Sequence, residues 1–170
     1  MAVSCLSTYP LVILGIIEPL LLVWAYITGI RDPQQFYLDQ VPTSSNGAAA
    51  VAEVAAVPPQ GLVLTLALVN VYLLLAALAV VCCFTPHAPV TRGYLLAVAL
   101  ADYGHIYATY AGVGSEVFWD PSRWNDMIWG SVGVSVFLNV HRLLALLGVF
   151  GHLASAGSNP GPASLGKKKA

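Results

Sequence analysis

Charge is what this sequence has least of. Only 9% of its 170 residues are Asp, Glu, Lys or Arg, against about 25% in an ordinary soluble domain. So few charges cannot clothe a water-exposed surface, which excludes a soluble globular enzyme. A hydrophobic share of 58% and a mean hydropathy of +0.75 exclude disorder. A net charge of -1 without a basic stripe excludes a nucleic-acid partner.

Cysteine is scarce as well. Cys5, Cys82 and Cys83 form an odd, unspaced set rather than a disulfide framework. Cys82 and Cys83 stand at a helix end, where an acyl chain is one reading. Small apolar residues facing lipid is the plainer one. H-E-x-x-H, G-x-S-x-G, a P-loop and Cys/His metal spacing are all missing. The sequence therefore implies no metal and no cofactor.

What it does have is long apolar runs. Residues 9–29, 61–84, 92–113 and 126–153 each reach the length a helix needs to cross a bilayer. Helix is the required form, because lipid offers no partner to an unpaired backbone group. The expected fold is all-α, a four-transmembrane-helix bundle over residues 1–153, with a flexible tail over 154–170. The first run lacks a basic leader and an evident cleavage site, so it reads as a retained span.

The connections are informative. Residues 40–58 include Pro42-Thr-Ser-Ser-Asn-Gly-Ala-Ala-Ala, a low-complexity stretch read as a mobile loop. Thr85-Pro86-His87-Ala88-Pro89 is a short turn, making spans two and three antiparallel neighbours. Asp120 and Pro121 have the character of an N-cap and a first helical residue, so helix four is expected to begin there. Phe118, Trp119, Trp124 and Trp129 suit an interface belt. Trp119, Asp120 and Trp124 are expected to form a lumenal lid.

Basic residues set the orientation. Arg92, Lys167, Lys168 and Lys169 fall on one side, and Arg31 and Arg123 on the other. The second side also holds Asp32, Asp39, Glu53, Glu116, Asp120 and Asp126. The positive-inside rule then places both termini in the cytosol. Lys167 and Lys168 resemble the dilysine retrieval signal of endoplasmic-reticulum membrane proteins, which implies residence in that membrane.

Each span carries polar residues near its middle: Glu18, Asn70, Asp102 with His105, and Asn139 with His141 and Arg142. A charge at the bilayer centre costs roughly 2.5 to 3.5 kcal/mol on insertion scales. These positions become tolerable if they meet one another in a polar bundle centre. Asp102 and His105 are three residues apart and share a helix face, as do Asn139 and Arg142. His141 points elsewhere. Arg142 is expected to neutralise Glu18 or Asp102, leaving one acid over. Desolvation favours a neutral carboxyl, so that acid is a candidate proton donor. Tyr103 and Tyr107 are expected to line or shield the cavity, and Gly104, Gly112, Gly130 and Gly133 to permit close helix approach.

Ile17-Glu18-Pro19, Asn70-Val-Tyr72, Leu100-Ala-Asp-Tyr-Gly-His105, Phe118-Trp-Asp-Pro121, Trp124-Asn125 and Arg142-Leu-Leu together resemble a known family. It is a family of small fungal integral-membrane proteins described only as a domain of unknown function, so it implies no activity. The architecture is more loosely similar to the four-span sterol-isomerase and sigma-2-receptor superfamily, which implies an acidic intramembrane pocket for sterol-like ligands.

Two functions are consistent with these residues. One is a cofactor-independent acid/base enzyme, an isomerase, cyclase or hydratase acting on a lipophilic small molecule. In it Asp102 or Glu18 donates the proton, His105 relays it and Arg142 holds the remaining carboxylate. The other is a non-catalytic assembly, trafficking or ligand-sensing protein whose intramembrane charges are structural. Expected partners are the lipid bilayer, a lipophilic small molecule, and a second copy or another membrane protein.

Overall fold

Pro19 governs the first long helix. In the computed structural model, which describes residues 3–41 and 57–153, helix α1 runs over Thr8–Arg31. Its turn Ile13–Ile17 is widened to π spacing, and the Glu18 N–H donates to the Ile13 carbonyl five residues back. Pro19 has no N–H to give. The Leu14 carbonyl is thereby left without a main-chain donor, and the Cys83 thiol lies 3.7 Å from it. The helix accommodates Pro19 by this widened turn just ahead of it.

After α1 comes a short helix α2, Pro33–Leu38, capped by Asp32, whose carboxylate accepts from the Gln35 N–H at 2.9 Å. Helix α3 spans Pro59–Cys83 and helix α4 spans Ala88–Val113. A short helix α5, Ser115–Phe118, and a 3-10 turn, Pro121–Arg123, lead to helix α6, Asp126–Leu146. No strand occurs among the described residues.

Three of these helices, α1, α3 and α6, are long and apolar enough to cross a membrane. Helix α4 has the length, since 26 residues rise about 39 Å. It is less apolar, because Arg92, Asp102 and His105 share it with Tyr94, Tyr103, Tyr107 and Tyr110.

The fourth long helix differs from expectation at both ends. Asp120 caps the 3-10 turn rather than the helix. Asn125 caps α6, its side-chain oxygen accepting from the Ile128 N–H at 3.0 Å. The helix stops at Leu146 instead of continuing to 153. Gly148 has φ +77°, its N–H bonds to the Ala145 carbonyl, and the Val149 N–H bonds to the Leu144 carbonyl. That 5→2 and 6→1 pair is a Schellman stop, which glycine alone adopts without strain. The low-complexity segment and the tail, with Lys167 and Lys168, lie outside the described residues.

Helices α1 and α3 pack along their lengths, as do α4 and α6. Leu14, Ala79, Cys83, Leu95, Leu138 and Ala145 form a dense core that also holds Leu6 and Leu153, near the two ends of the described residues. Close helix approach falls on unexpected glycines. A side chain at Gly29 would run into Val69, and one at Gly15 would sit 3.1 Å from Cys83. Gly104, Gly112 and Gly130 have nothing within 4 Å, and Gly133 faces only Trp129 of its own helix. Most of the spanning surface points outward, including Leu20, Trp24, Leu64 and Val81.

Candidate functional site: an ion-pair cluster at the end of an apolar cavity

Arg142 is 1% exposed, so its guanidinium needs partners inside the protein. It finds two. One terminal nitrogen bonds Glu18 Oε1 at 2.5 Å, and the other bonds Asp102 Oδ2. The cluster ties α1, α4 and α6 together. Asn139, one turn before Arg142, reinforces it. Its amide donates to Asp102 Oδ2 at 3.1 Å and to the Ala99 carbonyl at 2.8 Å. Asp102 Oδ2 therefore carries both contacts. Glu18 Oε2 and Arg142 Nε are buried without a partner among the described residues. Two carboxyls share one guanidinium, which leaves one negative charge or one proton in excess.

A cavity of about 470 Å³ opens from this cluster. Its lining follows helical spacing on every long helix. Glu18, Leu22, Ala25 and Thr28 face it from α1, and Leu68, Val71, Tyr72 and Leu75 from α3. Val98, Asp102 and His105 face it from α4, with Ser131, Val134, Ser135, Leu138 and Arg142 from α6. The walls are chiefly aliphatic. Polar groups gather at the ion-pair end and at the opposite mouth, where Asp39 and Asp126 stand beside Phe36 and Met127. Such a volume and lining suit a drug-sized apolar molecule with a few polar handles.

The expected site residues thus divide. Glu18, Asp102, His105 and Arg142 line one cavity, and Asn139 positions Asp102. His141 turns away, as its neighbourhood to Arg142 dictates. Its Nε2 lies 3.0 Å from the Tyr9 hydroxyl, its Nδ1 lies 2.8 Å from the Phe137 carbonyl, and its ring stacks on Phe150. Asn70 is exposed on the outer face of α3. Tyr103 and Tyr107, 55% and 68% exposed, face outward and do not line the cavity.

The lid expectation also changes. Trp119 is 75% exposed, and Trp124 packs on Phe118 and Trp129 while its indole N–H bonds the Val117 carbonyl. Neither they nor Asp120 line the cavity. The mouth is bordered instead by α2 and the start of α6. There the Asn125 amide donates to the Asp39 carbonyl at 2.9 Å, and the Gln40 amide lies 3.6 Å from the Met127 sulfur. Tyr72, Phe36 and Asp39 line the cavity without having been expected as site residues, and Tyr94 is buried near Glu18. For Tyr72 a signal existed, since Leu68, Val71, Tyr72 and Leu75 have a one-face spacing. Among the described residues no three His, Cys, Asp or Glu side chains are grouped to hold a metal ion.

Residues 3–152 match the model of the family described as Domain of unknown function (DUF7704). The chain belongs to this family. No curated protein and no solved structure matches it. The family range contains every residue of the ion-pair cluster and of the cavity lining.

Proposed function

We propose that this DUF7704 protein is a four-span membrane protein that admits a lipophilic small molecule to its cavity and acts on it by acid/base chemistry without a cofactor. The observation that carries this reading is the shared guanidinium. Arg142 neutralises one carboxyl, and the excess proton or charge lies at the inner end of an apolar chamber. There a carboxyl meets a bound lipophile away from bulk water, where its proton transfer is most effective. Asp102 is the acting group in this reading. Its side chain is 12% exposed against 4% for Glu18, and only its Oδ2 is tied to Arg142 and Asn139. His105, one turn along α4, also lines the cavity and relays the proton. Isomerisation, cyclisation and hydration need nothing more.

In this reading α4 is the fourth span, its polar face turned to the cavity and Tyr103 and Tyr107 to the surroundings. Both termini lie in the cytosol, as the lysines and Arg92 favour. The Lys167-Lys168-Lys169 run supports residence in the endoplasmic reticulum, and the family resemblance supports a fungal source.

A second reading has its own support. Arg142 and Glu18 are almost wholly enclosed, as expected of charges that hold helices together. In that case the protein is a non-catalytic assembly or sensing component. Untargeted lipid and metabolite profiling of a deletion strain separates the two. A compound that accumulates on deletion, clears with wild type and persists with Asp102→Asn supports catalysis. Equal rescue by both removes the acid role of Asp102.

A further inference from the structure

Two asparagines stand inside spanning helices, and the fold treats them differently. Asn139 is buried and its amide bonds both Ala99 and Asp102. Asn70 is exposed on α3 and has no hydrogen-bond partner among the described residues. It lies one residue from the middle of that 25-residue helix, at the depth of hydrocarbon. A carboxamide there has no water to pair with, so an outward-facing, unpaired amide requires a partner from outside the chain.

The surrounding face has an ordered pattern. Val63, Ala67, Asn70, Leu74, Ala77 and Val81 are all exposed. Their spacing alternates four and three residues over the whole helix, the repeat of a left-handed helix seam. The opposite face, with Thr65, Val69, Ala76 and Cys83, is buried. Ala67 and Ala77 flank Asn70, and such small residues allow a second backbone to come close.

We propose that this face of α3 is a dimer interface, occupied by α3 of a second copy of this chain with the two Asn70 amides paired across a two-fold axis. Copies inserted in the same direction place residue 70 at one depth. A carboxamide carries both donors and an acceptor, so an identical amide is its complement. A self-complementary patch about a two-fold axis is the commonest route to a homodimer. The inference goes beyond the cavity and needs only that α3 crosses the membrane.

Sedimentation equilibrium of the full chain in neutrally buoyant detergent micelles tests it. Wild type is expected to show a monomer–dimer equilibrium. Asn70→Leu is expected to weaken it about threefold to twentyfold, the range for interhelical hydrogen bonds in membranes. Asn70→Gln, which keeps the amide, retains association, and Leu64→Ala, about a quarter turn around the helix, leaves it unchanged. Ala67→Leu, which widens the seam, weakens the dimer by a route that does not involve Asn70. Wild type that stays monomeric at every concentration would overturn the proposal. So would Asn70→Leu protein that dimerises as tightly as wild type, or wild type that sediments only with a different co-purified protein.

Discussion

Arg142 and Glu18 stand 124 residues apart in sequence and 2.5 Å apart in the fold, with side chains 2% and 4% exposed. The pair joins the first long helix to the last, and Asp102 adds the third side of the cluster. Enclosed charges of this kind are costly alone and tolerable together, so damage to the cluster is expected to be strongly non-additive.

Arg142→Gln leaves two carboxyls without their guanidinium. The expected loss is about 3 to 5 kcal/mol, the usual cost of stranding a buried charge. Thermal unfolding in detergent, followed by circular dichroism, measures it. Glu18→Gln combined with Arg142→Gln should lose less than the two changes added. Asp102→Asn should be the mildest single change, because Asp102 is the more exposed acid and Asn139 also holds it. Strict additivity, or Asp102→Asn costing more than Glu18→Gln, would sink this account.

Gly29 and Gly104 should respond oppositely to alanine. A Cβ at Gly29 overlaps Val69 and meets the Phe36 ring at 3.3 Å. Overpacking of that kind costs about 1 to 3 kcal/mol. At Gly104 nothing lies within 4 Å, so alanine there costs nothing and gains up to about 1 kcal/mol of helix propensity. The same unfolding assay decides, and equal effects at both positions would contradict the packing described.

Asn125→Ala removes the cap of α6 and the bond from its amide to the Asp39 carbonyl. A lost cap costs about 0.5 to 2 kcal/mol. The distinctive result is local. Hydrogen exchange should quicken at residues 33–41 as well as at the start of α6, since one side chain clasps both. Faster exchange in α6 alone would mean that the clasp does not hold.

Asp120 gives a pH signature outside the spanning segments. The Ser122 hydroxyl at 2.5 Å and the Ser122 N–H at 3.1 Å hold its carboxyl below the ordinary value of 3.8. A group depressed in the folded state contributes its support above its ordinary value and loses it as pH falls through the folded one. The Ser122 amide resonance should therefore titrate with a midpoint below 3.8, and Ser122→Ala should move the Asp120 midpoint upward. An unmoved midpoint would refute the capping bond.

The local chemistry of the chain was legible without its fold. Apolar runs gave the long helices, because a helix in lipid must satisfy its own backbone. The end of α4 at Val113 was legible too, whereas Ala88 and Pro89, read as part of the turn before it, open the helix instead. Glu18, Asp102, His105 and Arg142 stood out because charge is so rare here that each instance demands a partner. Even the early stop of α6 had its sign in Gly148, overlooked because the apolar run continues past it.

Tertiary structure decided which polar residues meet. Glu18 faces inward on a helix whose turn is widened ahead of Pro19, and a one-residue change of helical register rotates every later side chain. Asn70 and Asn139 are identical in type and both lie within long apolar runs, yet one bonds Asp102 and the other faces outward. Tyr103 and Tyr107 point away from the cavity that Tyr72 lines. Sequence spacing fixes which residues share a face of one helix. The direction of that face depends on how four helices settle against each other, and that is a property of packing among residues far apart in the chain.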